Sequence, residues 1–281
     1  MAIKPPKTYQ EQLDILKSRG LTVNDPAYAL HCLAHYNYYR LSAYRFVYTA
    51  HGNPDQFLPG TTFEQIFSLY IFDSQLRKLV MEACKMVYRS VRSRLAYEIG
   101  HQLGPQAYLD NHNFSDKLIH ARMLNSLDRE LSRSNEEFVR HHRETLKLTW
   151  PPIWVLVEVI SFGTMSNLLT QIKPASLRSS IARTYGIDEQ FLRSIIHHLS
   201  IVRNTVAHHG RLWNRRLVVE LGLPRTKPKH LLSNFQTDPA FHNMRKIYNT
   251  LVVLAYFCGI ISPGSDWVKR LRAHIQTLTP S

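Results

Sequence analysis

Residues Thr62–Ile99 read TFEQIFSLYIFDSQLRKLVMEACKMVYRSVRSRLAYEI. Apolar side chains recur at Leu76, Val80, Ala83, Val87 and Val91, spaced by four and three residues. That is the period of a long helix with one buried face. Lys78, Lys85, Arg89 and Arg92 make a second stripe, spaced seven, four and three, well round the cylinder from the first. Glu82 sits among these cations and is expected to neutralise them in part. Gly100 and the Gly104-Pro105 pair end the segment.

Helical readings continue on both sides. Thr8–Arg19 forms a short helix that Gly20 ends, and Pro26 opens a second at its first turn. The run His35–Tyr48, HYNYYRLSAYRFVY, mixes tyrosines with Arg40 and Arg45. Tyr38, Leu41, Tyr44 and Tyr48 at helical spacing read as packing, while HGNPDQFLPG after them reads as a loop. Phe114–Arg133 reads as a helix with Ser115 and Asp116 as candidate caps. Trp150-Pro151-Pro152 is a break, followed by a strongly apolar run over Ile153–Ile172 that Glu158 and Ser161 interrupt. Pro174 begins a shorter helix, and Gly186 separates it from the next. Asp188 caps a helix over Glu189–His208, with Leu192, Ile195, Leu199, Val202 and Val206 inside and Gly210 as its C-terminal cap. Asn214–Leu223 reads as short strand or loop and Pro224–Pro228 as loop. Asp238–Cys258 and Asp266–Leu278 close the chain as helices. No Gly-rich loop follows a strand, so the Rossmann and P-loop readings have no support. The fold class is all-α. Residues 1–60 are expected to be a helical extension and 61–281 a helical domain, joined in one compact unit.

The chain has 281 residues, enough for a sizeable core. Lys and Arg number 35 against 21 Asp and Glu, a formal net charge of +14. Such an excess predicts attraction to polyanions, with nucleic acid first and an anionic membrane surface second. A hydrophobic content of 44% excludes a mostly disordered chain. Cys32, Cys84 and Cys258 are widely spaced with no CxxC, so neither a disulfide framework nor a cysteine zinc site is expected, and a reducing cytosol is the default. The opening MAIKPPKTYQ lacks the pattern of a signal peptide, and the apolar run Ile247–Ile261 is too short to span a bilayer. A cytoplasmic protein without a membrane partner is therefore expected.

The chemistry concentrates in Leu199–Arg216, LSIVRNTVAHHGRLWNRR. Asn204 and His208 are four residues apart and share a helix face, and the long side chain of Arg203 reaches the same space. RNA cleavage without a metal needs a proton taken from the 2′-OH, a proton given to the leaving 5′-oxygen, and stabilisation of the extra charge on phosphorus. Histidine shuttles protons near neutrality. Arginine stays charged and grips two phosphate oxygens. Asparagine orients either partner without titrating. An Arg and a His near a helix C-terminus equally complement the macrodipole and cap carbonyls. A metal site drawn from His197, His198, His208 and His209 is disfavoured, because adjacent histidines on a helix diverge and no carboxylate is close in sequence.

RNTVAH resembles the R-N-x-x-x-H signature of HEPN-superfamily ribonucleases. YYRLSAYRF at Tyr38–Phe46, FDSQLRKLV at Phe72–Val80, WVLVEVISFGTMS at Trp154–Ser166 and RNTVAHHGRLWNRR at Arg203–Arg216 together resemble Abi-like proteins of the abortive-infection AbiD/AbiF type. The resemblance implies a HEPN-like helical bundle with additional N-terminal helices. It further implies a metal-independent endoribonuclease of antiphage defence, toxin-like and without cofactor. It maps the catalytic Arg and His onto Arg203 and His208, with Asn204 as the accompanying polar residue. Sites of this kind are built from two facing motifs, and this chain carries one, so a homodimer is implied.

Other residues fit an RNA partner. Lys78, Lys85, Arg89 and Arg92 are candidates to track a phosphate backbone, although such a stripe is equally a solvated helix face. Arg40 and Arg45, and His209, Arg211 and Arg215 beyond the motif, are further candidate RNA contacts. Glu158, in an apolar helix, needs a partner, either an Arg of the motif helix that it would position or a salt bridge elsewhere. The alternative function is a non-catalytic module that binds a structured non-coding RNA.

Overall fold

The computed structural model describes residues 5–224, 228–237 and 245–278. Its helices are α1 (Tyr9–Ser18), α2 (Pro26–His35), α3 (Tyr38–Ser42), α4 (Phe63–Gln102), α5 (Lys117–Arg133), α6 (Glu137–Arg140), α7 (Ile153–Val159), α8 (Phe162–Gln171), α9 (Ala175–Thr184), α10 (Glu189–Ala207), α11 (Lys229–Leu232), α12 (Ile247–Ile261) and α13 (Trp267–Gln276). Among the described residues the only sheet is the hairpin of β1 (Thr49–Ala50) and β2 (Asn53–Phe57). The all-α class stands. The hairpin replaces the loop expected there; Gly52, at φ +78°, makes its turn.

The chain divides into two compact units, Met1–Arg77 with His274–Ser281, and Lys78–Ala273. The division falls inside α4, whose first residues group with the N-terminal helices.

In the first unit, Thr8 and Glu11 form a capping box that opens α1, and Gly20 at φ +90° reverses the chain after it. Asp25 caps α2, with Pro26 at its first position. Tyr44 is fully buried: its hydroxyl donates to Asp73 Oδ2 at 2.7 Å and accepts from Arg77 Nη1 at 3.1 Å, while Arg77 and Asp73 form a buried ion pair. Tyr38 and Tyr48 are only half-buried, so packing claims fewer of these rings than their spacing predicts.

In the second unit, Val80, Ala83, Val87 and Val91 of α4 are fully buried, as their spacing requires. The helix continues through Gly100 to Gln102, and Gly104 at φ +102° ends it. Trp267 of α13 is fully buried and its indole N–H donates to Leu79 O at 2.8 Å. The apolar run Ile153–Ile172 is two helices, not one. Ile160 is extended, Ser161 caps α8, and Glu130 of α5 accepts the Ser161 N–H and the Thr164 hydroxyl, both at 2.9 Å. The last long helices differ at their ends from expectation: α12 starts at Ile247, and residues 238–244 lie outside the described residues, as do 225–227 of the expected loop.

Candidate functional site

The candidate site stands on α10, which packs on α8 and α9. Leu192, Ile195, Leu199 and Val202 are fully buried and Val206 nearly so, which turns the opposite face outward. Asp188 caps the helix by accepting the Phe191 N–H at 2.8 Å.

At the C-terminal end, Arg203 is half-buried and Asn204 and His208 are exposed. Arg203 Nη1 donates to Asn204 Oδ1 at 3.0 Å, so the amide fixes one edge of the guanidinium. His208 is the C-cap residue, and its N–H returns to Asn204 O at 3.0 Å. Arg203 and Asn204 are thus joined through their side chains, and His208, one turn on, meets Asn204 through its backbone N–H. Inward, the charge of Arg203 is felt by the Cys84 thiol of α4. Burial pushes that thiol up to about 12, nearby Cys258 adds to the shift, and Arg203 opposes it.

The helix ends differently from expectation. The left-handed residue is His209, at φ +56°, not Gly210. His209 N–H donates to Val206 O at 2.9 Å and Gly210 N–H to Thr205 O at 2.8 Å, the paired bonds of a Schellman turn. Gly210 is needed for space: a side-chain carbon there would lie 2.9 Å from Thr205 Cγ2 and 3.2 Å from Arg215 Nη1. His209 is exposed beside His208, and Arg211 and Arg215 are half-buried in the loop that follows.

That loop is tied to its surroundings. Leu212, Leu217 and Leu221 are buried, Lys246 Nζ donates to Asn214 Oδ1 at 2.5 Å, and Leu217 N–H donates to Arg245 O at 2.8 Å. Buried His198, named from the sequence only as a disfavoured metal ligand, is a further anchor. Nδ1 lies 3.0 Å from Val219 O and Nε2 2.8 Å from Thr250 Oγ1. A carbonyl only accepts, so Nδ1 carries the proton and Nε2 accepts from the threonine hydroxyl. Burial lowers this imidazole to about 4. His198 is thus separated from His208 and His209 in role. Among the described residues no group of three or more His, Cys, Asp or Glu is placed to hold a metal.

The basic stripe of α4 divides. Lys78, Lys85 and Arg89 are exposed. Arg92 is half-buried over the Tyr88 ring at 5.2 Å and pairs with Glu158 of α7. Glu158 therefore joins α7 to α4 and does not position a motif arginine, which corrects the first of its two readings and leaves the salt bridge. Glu82 is gripped by both guanidinium nitrogens of Arg270, so it no longer offsets the stripe. Arg45 is turned inward, its side chain 14% exposed and 3.5 Å from Asp55, which makes it a poor RNA contact; Arg40 is exposed.

No helix among the described residues is long and apolar enough to cross a membrane. A family model described as Abi-like protein matches residues 31–214, about two-thirds of the chain and all of the RNTVAH segment. No curated protein and no solved structure matches it. With its motif inside that span, the chain belongs to the Abi-like protein family.

Proposed function

We propose that this protein is a metal-independent endoribonuclease of antiphage defence, of the HEPN type and acting as a homodimer. Its place in the Abi-like family supports a role in abortive infection. The observation that carries the reading is the accessible Arg203–Asn204–His208 face at the end of α10. Asn204 holds the guanidinium edge-on, leaving other N–H groups of Arg203 for phosphate oxygens. His208 moves the proton of the attacking 2′-OH or of the leaving 5′-oxygen, and a second copy of the motif supplies the complementary step. Arg211, Arg215 and His209 lie on the loop that continues from this face and contribute positive or hydrogen-bonding groups to the same strand.

The test is turnover of RNA by Arg203→Ala and His208→Ala. Each is expected to fall by roughly 10²–10⁴-fold, with helical content unchanged because neither side chain belongs to the core. Wild-type turnover by both variants would contradict the assignment. The exposed Lys78, Lys85 and Arg89 favour a second reading, an RNA-binding module that takes a structured non-coding RNA without cutting it. Salt-dependent binding without new RNA ends is its signature.

A further inference from the structure

The stripe on α4 does not stop at its last exposed cation. Lys78, Lys85 and Arg89 share one face, and steps of four and three then carry the row through Ser93 and Tyr97 to Gly100, drifting about a quarter turn round the helix by Tyr97. The row is about 33 Å long at 1.5 Å per residue. It runs from exposed cations into a cleft of about 630 Å³ between the end of α4 and α7.

The cleft is aromatic. Tyr97 is 53% exposed and Trp154 is 54% exposed, and both line the same cleft. Both are braced. The Trp154 ring lies over Gly100, its Cζ3 3.5 Å from where a side-chain carbon would stand. Tyr97 stacks at a tilt on His101 with centroids 4.0 Å apart, and the Arg94 guanidinium lies 5.2 Å from its ring centre. The nearby carboxylates are already neutralised: Glu158 pairs with Arg92, and Glu98 accepts from Arg94 at 2.9 Å and from Gln102 at 2.7 Å. A polyanion guided along Lys78, Lys85 and Arg89 therefore meets the solvent-exposed parts of two aromatic rings, and the two carboxylates nearest them among the described residues are paired.

We infer that the Tyr97–Trp154 cleft is a base-stacking subsite for unpaired RNA whose phosphates follow Lys78, Lys85 and Arg89. The inference rests on the RNA reading above and names the class of RNA: single-stranded at this point, because paired bases offer no free face to the rings. The cations supply the backbone contact and the rings hold the base, a division that tolerates any sequence.

The experiment is the affinity of a short fluorescein-labelled oligouridylate, and of the same strand in a duplex with oligoadenylate. Wild type, Tyr97→Ala, Trp154→Ala, Trp154→Phe and Arg89→Glu are compared, with circular dichroism as the check on folding. Each alanine variant is expected to weaken the single strand by roughly 5- to 100-fold while leaving the duplex nearly unchanged. Trp154→Phe restores most of the loss, which a merely structural contact over Gly100 does not require. Ring variants that bind the single strand like wild type, while Arg89→Glu loses it, would overturn the inference and leave the RNA reading standing. A gain or loss of dimer in the ring variants with RNA affinity unchanged would make the cleft a contact between copies and also overturn it. Binding of neither RNA by wild type would overturn both.

Discussion

His208 and His209 are neighbours in sequence with different work to do. His209 occupies the left-handed position of the α10 terminus, where a side chain costs roughly 1–2 kcal/mol and glycine costs nothing. His209→Gly is therefore expected to stabilise the fold by about 0.5–1 kcal/mol in urea melts, part of the gain being returned to the unfolded chain. RNA turnover should survive in that variant and fall roughly 10²–10⁴-fold in His208→Ala; loss of turnover in His209→Gly would assign the proton transfer to His209 instead. His198 makes a second residue-scale prediction. Its imidazole is held neutral by burial at about 4, against 6.5 unfolded. Between those values the unfolded chain binds the extra proton, so stability rises with pH across the window. The contribution is fully present above about 6.5 and is lost as pH falls towards 4. Urea melts across that range should show a slope that His198→Asn flattens; an equal slope in both proteins would contradict the assignment.

Among the elements, α4 carries two kinds of arginine within one stripe. Arg89→Ala should lower RNA affinity and reduce the slope of log affinity against log salt by about one, the mark of one lost phosphate contact. Arg92→Ala should leave that slope alone and instead loosen α7, because it strips Glu158 of its partner. Equal salt slopes for the two variants would remove the distinction. The same comparison shows what the sequence could and could not reveal. The buried face of α4 was legible because it depends on residues three and four apart. The fate of Glu158 was not, since Arg92 lies 66 residues upstream. Ser161 marked the break between α7 and α8, but its anchor was hidden for the same reason: Glu130, which accepts at Ser161, comes from another helix 31 residues away. Gly210 was legible as a helix end, but its reason was not, because the crowding by Thr205 and Arg215 exists only after the loop folds back.

At the scale of the whole molecule, the motif face was the most legible part of the site and its surroundings the least. Arg203, Asn204 and His208 lie within one and a half turns of a single helix, so spacing alone places them together. The anchoring of the following loop by His198, Thr250 and Lys246 needs residues from α10 and α12 and the segment before it, which no local pattern brings near. One chain presents one Arg–His set, so a composite site needs two copies. For the proposed homodimer, cleavage in a dilution series should therefore fall more steeply than protein concentration. The most direct measurement is end-group analysis of a single-stranded RNA incubated with wild type and with His208→Ala, in the presence of EDTA. Wild type is expected to leave 2′,3′-cyclic phosphate and 5′-hydroxyl ends, and His208→Ala roughly 10²–10⁴-fold fewer of them. The same ends at the same rate from His208→Ala, or 3′-hydroxyl ends that EDTA abolishes, would contradict the proposed chemistry.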